Sequence, residues 1–312
     1  MRITNNTLSG NYLRNLNKNL EKMHKSQNQL SSLKEVSKPS DDPMLVSKIM
    51  NLRQNIQANE QYKKNINDGI GWVNTADGAL STVSETLLRA RELIQYGANG
   101  TLSNTDRLAL KDEVDMLKGQ LTQVLNTNYD GRYIFGGQKT TEPPFYIDKD
   151  SGVMIYQKKV DVEEDHGNIY REIAQNVNVA IEADGSKITR IEKPPGEFQD
   201  LGELLKSVSN ALEKGDSESL NKLSGDYLGD MDSHIDNVIR FRTKMGANSN
   251  RLEAAKQRNE SENLGMKTNL STSEDIDLAE KMMEYSMMST SYQASLSVGA
   301  KILQSSLLDY IR

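Results

Sequence analysis

The residues that could do chemistry are few and lie far apart in the sequence. The three histidines, His24, His166 and His234, fall in three different predicted elements, so each is interpreted as a surface or partly packed side chain. The acidic run at 163–165 could bind a cation together with His166. It lacks the alternating oxygen ligands and closing Glu of a calcium loop, which favours a solvated turn.

Other signatures of enzymes and cofactor sites are missing from the sequence. The chain has no cysteine, which excludes a disulfide framework, a thiolate metal site and a Cys nucleophile. It has neither a Gly-rich loop ending in Gly-Lys-Ser/Thr nor a Gly-x-Ser-x-Gly elbow. We therefore predict no catalytic, cofactor-binding or metal-binding residues, and we expect the protein not to be an enzyme.

Composition favours long, thin helical packing over one thick globular core. Of the 312 residues, 36% are hydrophobic, 26% are charged and only 5% are aromatic. The net charge of −6, without a dense Lys/Arg run, argues against nucleic-acid binding. The first six residues carry no apolar segment of a cleavable signal peptide, which predicts a cytoplasmic protein or one exported without a cleaved signal.

The most informative stretch runs over residues 273–312 and is predicted to form one helix. Between Tyr285 and Ala300 it has no charged residue, so it lacks a solvent face, yet it is too rich in hydroxyl groups to span a bilayer. We infer that it packs on several sides, some of them supplied by other chains. Its seam repeats at alternating three- and four-residue spacing through Leu278, Met282, Tyr285, Ser289, Tyr292, Leu296, Gly299, Leu303, Ser306 and Tyr310.

Four methionines, Met282, Met283, Met287 and Met288, form a dense patch on this helix. Thioether side chains fill gaps inside helix packing, and they also make adaptable contact surfaces for a partner or a chaperone. The sequence leaves both interpretations open.

A second weakly charged helix is predicted over residues 8–33, at the other end of the chain. We expect the two to pair antiparallel as a terminal unit of residues 1–38 and 272–312. The heptad positions of this N-terminal helix are Leu13, Leu16, Leu20, Met23, Gln27 and Leu30.

The segment that follows contains two prolines around a Ser-Asp-Asp sequence. It predicts a helix boundary, with Asp42 as N-cap and Pro43 at the first helical position. The alternative is a hinge between two domains, formed by Pro39, Ser40, Asp41, Asp42 and Pro43.

Long helices are predicted on either side of the middle of the chain. From Leu45 to Ile94 every seventh residue is apolar except Asn59, which predicts a helix over 43–96 that ends at Gly97–Gly100. Ser103 and Asp106 resemble a capping box for a third helix that ends near Asn128. A further long helix is predicted over 216–268, with a turn at 269–274; the inner bundle comprises 39–137 and 197–271.

The hydrophobic period changes to two over residues 138–196, which predicts a small inserted β domain. Strands are expected at 146–147, 153–156, 160–162, 169–173, 177–181 and 188–191, with Asp184–Gly185 as a hairpin turn. Helical periodicity resumes at Phe198. The predicted fold class is mainly α with an inserted small β domain, built on a long antiparallel helical bundle or coiled coil of N- and C-terminal arms.

Several motifs resemble those of bacterial flagellins and their relatives. The Pro-Ser-Asp-Asp-Pro sequence at 39–43 and Gly-Ile-Gly-Trp at 69–72 are similar to the N-terminal signature of this superfamily. Gly-Arg-Tyr-Ile-Phe-Gly-Gly at 131–137, Thr-Thr-Glu-Pro-Pro-Phe at 140–145 and the C-terminal stretch 298–310 resemble the hook–filament junction proteins, the third hook-associated proteins.

The resemblance implies a structural subunit that forms the junction between hook and filament by self-assembly. It implies export through the flagellar type III apparatus to an extracellular position in the flagellum. The implied partners are further copies, the first hook-associated protein, flagellin and a cytoplasmic export chaperone on the C-terminal helix, with no nucleic acid and no membrane insertion. The assembly interface is expected at Leu13, Leu16, Leu20, Met23, Leu30, Met282, Tyr285, Tyr292, Leu296, Leu303, Leu307 and Tyr310.

Two other functions remain open from the sequence. One is a flagellin, the bulk subunit of the filament, which would be found along the whole filament. The other is a coiled-coil scaffold or signalling protein with a β domain, which predicts a discrete dimer with ordered termini.

Overall fold

The fold is mainly helical with small antiparallel sheets, which confirms the predicted fold class. The computed structural model describes residues 5–157, 169–181, 183–193 and 197–310. The helices are α1 Asn5–Ser32, α2 Pro43–Gly97, α3 Asn104–Leu125, α4 Gly185–Thr189, α5 Leu201–Lys214, α6 Ser217–Lys222, α7 Leu228–Glu274 and α8 Leu278–Tyr310.

The strands are β1 Asn128–Tyr129, β2 Arg132–Tyr133, β3 Phe145–Ile147, β4 Met154–Tyr156, β5 Tyr170–Ala174, β6 Val177–Ala180, β7 Arg190–Lys193 and β8 Glu197–Asp200. The described strands pair two by two in chain order, β1 with β2, β3 with β4, β5 with β6 and β7 with β8. They form separate two-stranded sheets rather than one larger sheet. The hairpin predicted at 146–156 and the strands predicted near 169–181 are confirmed.

The chain divides into two compact units, each built from both arms of the chain. The first unit contains the chain up to Glu60 and from Ser261 onward, and the second contains Gln61–Glu260. The division into three units made from the sequence stays a prediction.

The second unit has a continuous core around α2. The seven-residue repeat Ile66, Val73, Leu80, Leu87 and Ile94 is fully buried, each side chain being 0% exposed. The repeat thus places one side of the second-unit part of α2 in the core, as its spacing predicted, whereas Leu45 and Leu52 in the first unit are half-buried. Residues of the other helices pack into the same core, among them Val114 and Leu121 of α3, Leu205 and Val208 of α5, and Val238 and Leu252 of α7.

Local sequence explains where several helices begin and end. The Ser103 side chain accepts from the Asp106 backbone N–H, and the Asp106 side chain accepts from the Ser103 backbone, which confirms the predicted capping box. Asp200 caps the N-terminus of α5 through the Gly202 N–H. Gly215 ends α5 in the left-handed conformation with φ 62°, which costs glycine little.

The hairpins are attached to the helical core by apolar side chains. Phe145, Met154, Ile181 and Ile188 are each at most 2% exposed and belong to the core cluster of the second unit. The β1–β2 turn, at Asp130 and Gly131, has positive φ at both positions, 51° and 77°. Two such residues match the twist of a tight hairpin, as expected for Asp-Gly.

Three predictions for the β region are wrong. The strand predicted at 188–191 begins only at Arg190, because Ile188 and Thr189 belong to α4. Asp184 does not make a hairpin turn with Gly185, because its carboxylate accepts from the Ser186 N–H and hydroxyl at 3.0 and 2.8 Å and so caps the short helix α4. Residues 197–200 are a strand rather than the start of a helix, because they pair with β7. The strand predicted at 160–162 lies outside the described residues.

The long C-terminal helices differ from the prediction in several places. The helix predicted over 273–312 begins at Leu278, because residues 273 and 274 belong to α7. The helix predicted from residue 216 is interrupted by one turn of π-helix, Leu223–Tyr227, between α6 and α7. The turn predicted at 269–274 is wrong, since the Thr272 hydroxyl donates to the Thr268 carbonyl at 2.9 Å and α7 continues to Glu274. Without Gly or Pro at 269–274, nothing in the sequence stops the helix there.

Candidate assembly interface

The terminal helices α1 and α8 pack against each other antiparallel, which confirms the predicted pairing. The Tyr12 hydroxyl donates to the Ser295 backbone carbonyl at 2.5 Å. Tyr12 reaches α8 at Gly299, where an added Cβ would lie 2.2 Å from the Tyr12 hydroxyl oxygen. Glycine at position 299 therefore allows the tyrosine ring to lie directly on the backbone of α8.

At the opposite end of this helix pair the chain forms a charged corner around Glu274. This carboxylate is buried and pairs with Lys34, at 3.0 Å, and with Arg53. Lys34 also pairs with Asp275 at 2.7 Å, and the Glu35 N–H donates to the Glu274 carbonyl at 2.8 Å. These contacts connect the end of α1 with α2 and the end of α7.

The charges at the corner shift each other's proton affinity. Burial raises the pKa of the Glu274 carboxyl, but hydrogen bonds and charges from Arg53 and Lys34 outweigh it, so this pKa is lowered. Hydrogen bonds from Lys34 and Ser271 lower the pKa of Asp275, and the two carboxylates raise the pKa of Lys34. The corner is therefore ionised, and most stable, near neutral pH.

The predicted interface residues on α1 and α8 divide into two groups. One group is half-buried in the helix pair, comprising Leu16, Leu20, Met23, Leu30, Tyr285 and Tyr292. The other is exposed, comprising Leu13 at 52%, Met282 at 58% and Leu296 at 45%. Leu303, Leu307 and Tyr310 belong to α8, but their side chains lie outside the described part of the structure.

A further exposed apolar row runs along α8, and the predicted interface did not include it. It consists of Met283, Met287 and Val298, which are 63, 68 and 53% exposed. These positions, with Ala294, follow a spacing of four, seven and four residues, which places them on one face. They lie on the side opposite Tyr285, Tyr292 and Gly299, and the same three-four spacing could have found them in the sequence.

The 39–43 segment is a turn followed by a helix cap. The Asp41 carboxylate accepts from the Lys38 N–H at 3.1 Å, and the Asp41 N–H donates to the Lys38 carbonyl at 3.0 Å. Asp42 accepts from the Met44 and Leu45 N–H groups at 3.0 Å, and Pro43 is the first residue of α2, which confirms the predicted cap. The hinge formed by Pro39, Ser40, Asp41, Asp42 and Pro43 stays a prediction.

The described residues bear on the predicted absence of a metal site and on the three histidines. Among them, groups of three or more His, Cys, Asp or Glu side chains that could hold a metal ion do not occur. His24 is exposed, His166 lies outside the described residues, and His234 is 0% exposed, so the prediction that His234 is at most partly packed is wrong. None of the described helices has the length and apolarity that a membrane span requires.

Comparisons with known proteins agree with this geometry. The model of the bacterial flagellin N-terminal helical region matches residues 3–140, and that of the C-terminal helical region matches residues 228–311. Both terminal helices of the first unit thus fall within the matched regions.

Individual relatives span nearly the whole chain. Flagellar hook-associated protein 3 of Escherichia coli (strain K12) is 30% identical over 281 residues, covering 86% of either chain. The flagellin of Bacillus subtilis (strain 168) is 27% identical over 311 residues, covering 97% of either chain. A solved structure of flagellar hook-associated protein-3 from Legionella pneumophila shares the fold, with a TM-score of 0.61, 16% identity, and coverage of 72% of this chain and 98% of that one. The chain belongs to the family of flagellar hook-associated protein 3.

Proposed function

We propose that this protein is a structural subunit of the bacterial flagellum that forms the junction between hook and filament by self-assembly through α1 and α8. Its family is a family of structural flagellar proteins, one solved member of which is described as a flagellar junction protein. The chain contributes surfaces rather than chemistry, and its termini carry the assembly contacts.

One observation carries this proposal. Over the stretch from Tyr285 to Ala300, α8 has no charged residue, although the helix pair covers only one side of it. Met283, Met287 and Val298 on the outer face remain 63, 68 and 53% exposed. A soluble monomer rarely leaves such a row of apolar side chains in water, and rows of this kind mark protein–protein contacts.

The distribution of charge supports the same assignment. Ion pairs at Glu274, together with Lys281 and Glu35 at 3.3 Å, hold the helix pair together at its corner. Beyond Glu284 the next charged residue of α8 is Lys301. The apolar contacts of this stretch are therefore free to form with neighbouring copies, where they need no compensation of buried charge.

The partners follow from position in the flagellum. The first hook-associated protein lies on the hook side, flagellin on the filament side, and a cytoplasmic chaperone covers α8 before export through the type III apparatus. Exposed Met282, Met283 and Met287 support this chaperone contact, because flexible thioether side chains adapt to more than one partner.

A flagellin function is the second candidate, and one observation favours it. The Bacillus subtilis flagellin aligns over 97% of either chain, a longer share than the 86% of the Escherichia coli hook-associated protein. The identity is lower, 27% against 30%. The two functions differ in the amount of protein and in its position along the flagellum.

Deletion of the gene tests the proposal. Cells that lack the protein are expected to build hooks and to release unpolymerised or detached flagellin into the medium, because the filament has no junction to attach to. Restoring the gene on a plasmid should restore attached filaments. Hooks that still carry normal filaments after deletion would contradict the junction function, and loss of the major filament protein itself would favour flagellin.

A further inference from the structure

Among the residues that the structure describes, six methionines are exposed, and three of the six lie together on one short stretch of α8. Met282, Met283 and Met287 are 58, 63 and 68% exposed and lie within two helical turns. Met283 and Met287 are four residues apart and share the face that points away from α1. We call these three residues the methionine patch.

Thioether sulfur is the most readily oxidised group on this surface. The chain has no cysteine, so no thiol in the same molecule competes for an oxidant. In the reaction with hydrogen peroxide the sulfur attacks one peroxide oxygen, an S–O bond forms, and the O–O bond breaks. The sulfur loses two electrons, the peroxide is reduced to water, and the product is methionine sulfoxide.

The reaction changes the surface that the proposed function uses. A sulfoxide is polar and accepts hydrogen bonds, so a side chain that contacts apolar partners becomes one that prefers water. Methionine sulfoxide reductases reverse the change, so the modification is reversible. In the proposed assembly the same atoms are covered, so the oxidant reaches them only before assembly.

We propose that the methionine patch is an oxidation-sensitive modification site, and that sulfoxides at Met283 and Met287 prevent the free subunit from assembling. The assembly part of this inference rests on the proposed function. The oxidation site itself rests on exposure alone. The chain also contains buried methionines and exposed methionines outside the patch, which serve as controls. Met154, Met231 and Met245 are at most 2% exposed, whereas Met44, Met50 and Met116 are 85, 65 and 76% exposed at other places.

The first experiment measures which sulfur atoms react. The purified full-length protein is treated with hydrogen peroxide, and sulfoxide at each methionine is followed by peptide mass spectrometry. Met283 and Met287 are expected to oxidise at least about tenfold faster than Met154, Met231 and Met245, because buried sulfur is shielded from the oxidant. Equal rates at exposed and buried positions would overturn the site.

The second experiment measures the consequence for assembly. Isolated hooks from cells that lack the gene are incubated with untreated or peroxide-treated protein, and bound subunit is measured by sedimentation. Treated wild type is expected to bind about tenfold more weakly, the effect of losing about 1.4 kcal/mol of binding free energy. Repair with methionine sulfoxide reductase should restore binding.

Variants assign the effect to the patch. The triple substitution Met282→Leu, Met283→Leu and Met287→Leu keeps the surface apolar and should make binding resistant to peroxide. The matched triple Met44→Leu, Met50→Leu and Met116→Leu should remain as sensitive as wild type. Resistance in the second variant but not in the first would overturn the proposal, as would normal binding by protein with fully oxidised Met283 and Met287.

The two experiments separate this inference from the proposed function. If untreated protein does not bind hooks at any concentration, the junction function fails, and with it the assembly consequence of oxidation. The oxidation rates relative to buried methionines would still decide whether the patch is a site of oxidation.

Discussion

The core of the second unit and the α1–α8 pair are both built from heptad-like helices, but they are packed to different degrees. In the second unit Val73, Leu80 and Leu87 are 0% exposed and are surrounded by helices and hairpins. In the α1–α8 pair the seam residues, such as Leu16 and Tyr285, are only half-buried. Two helices cannot surround each other, so the pair gains its full apolar burial only from additional chains.

The two regions also differ in the number of charged side chains on their surfaces. On the second unit, pairs between α2 and α7 cover the helices with charge, including Lys63–Glu260 at 3.0 Å and Asp77–Arg242 at 3.3 Å. The middle of α8 has no charged side chain. Similar helical repeats therefore form a fully packed core in the second unit and leave an exposed apolar surface on α8.

Amide exchange should show the largest difference between the two regions. In the monomer, amides around Leu80 and Leu87 are expected to exchange at least about a thousandfold more slowly than those of α1 and α8, because opening a complete core costs far more than opening a two-helix pair. Hydrogen–deuterium exchange with mass spectrometry measures this. Strong protection of both terminal helices in a verified monomer would contradict the comparison.

Truncation of a leucine side chain should destabilise the second unit more than the α1–α8 pair, which is the next largest expected difference. Leu80→Ala is expected to lower the free energy of unfolding of the second unit by about 2–5 kcal/mol, through lost burial and the cavity left behind. Urea unfolding followed by fluorescence of Trp72 reports on this unit, because Trp72 is the single tryptophan and is buried there.

Leu16→Ala is the matched control, since it removes the same atoms from a half-buried position in the first unit. The Trp72 transition is expected to stay at the wild-type urea concentration. A shift as large as that of Leu80→Ala would show that the two regions do not unfold separately.

The charged corner should depend on pH in a defined direction. Because the pKa of Glu274 is lowered in the folded protein, its stabilisation is present above its ordinary value of 4.5 and is lost as pH falls through the folded value. Glu274→Gln is expected to destabilise the first unit by about 1–3 kcal/mol at pH 7. Thermal unfolding followed by circular dichroism at pH 7 and pH 3 should show the difference shrinking at the lower pH.

Glu280→Gln serves as the control for this measurement, because Glu280 is exposed on α8. It should unfold like wild type at both pH values. An equal effect of Glu274→Gln at pH 7 and pH 3 would rule out ionisation of Glu274 as the cause.

Variants of the Tyr12–Gly299 contact test whether this contact fixes the register in which α1 and α8 pack. Gly299→Ala would place a Cβ 2.2 Å from the Tyr12 hydroxyl oxygen, and it is expected to weaken the pair by about 1–3 kcal/mol. Adding Tyr12→Ala should remove most of this penalty in a double-mutant cycle. Gly10→Ala is the control, because its added Cβ meets no atom within 4 Å.

Circular dichroism of helix content at low temperature reads out this cycle. If Gly299→Ala costs the same with and without Tyr12, the contact does not set the register. A gain in helix content for Gly10→Ala is expected, since alanine stabilises a helix interior relative to glycine.

The smallest effect on stability, with a large effect on function, is expected for Leu296→Asp. Leu296 is 45% exposed in the monomer, so the change should alter stability by about 0.5 kcal/mol or less while blocking assembly. Asn17→Asp adds the same charge on the exposed polar side of α1 and should leave assembly intact. Global unfolding of Leu296→Asp in circular dichroism would contradict separate roles for the two regions.

Periodicity predicted the helices well, because burial imposes it directly on the sequence. The repeat from Leu45 to Ile94 located α2, and Asp42, Pro43, Ser103 and Asp106 located helix starts through backbone hydrogen bonds that only nearby residues supply. The uncharged flanks of α8 predicted a helix packed on several sides; α1 covers one of them, and packing on the others stays a prediction.

One prediction was wrong because a paired strand decides the structure: residues 197–200 form a strand with β7, although Phe198 fits the helical pattern that follows. The Asp184–Gly185 turn was wrong for a local reason, because the Asp184 carboxylate accepts from the N–H and hydroxyl of Ser186 and caps α4 instead. Met283 and Met287 of the outer row were predicted as part of a possible contact surface, but Val298 was missed because one seam was chosen for α8, whereas an uncharged helix can have two.

Electron microscopy of labelled subunits on intact flagella tests the junction function most directly. Antibody against the exposed β region of the second unit, detected with gold, would mark each copy in place. The account predicts label in one short zone between hook and filament. Label along the whole filament would contradict it and would identify the protein as a filament subunit.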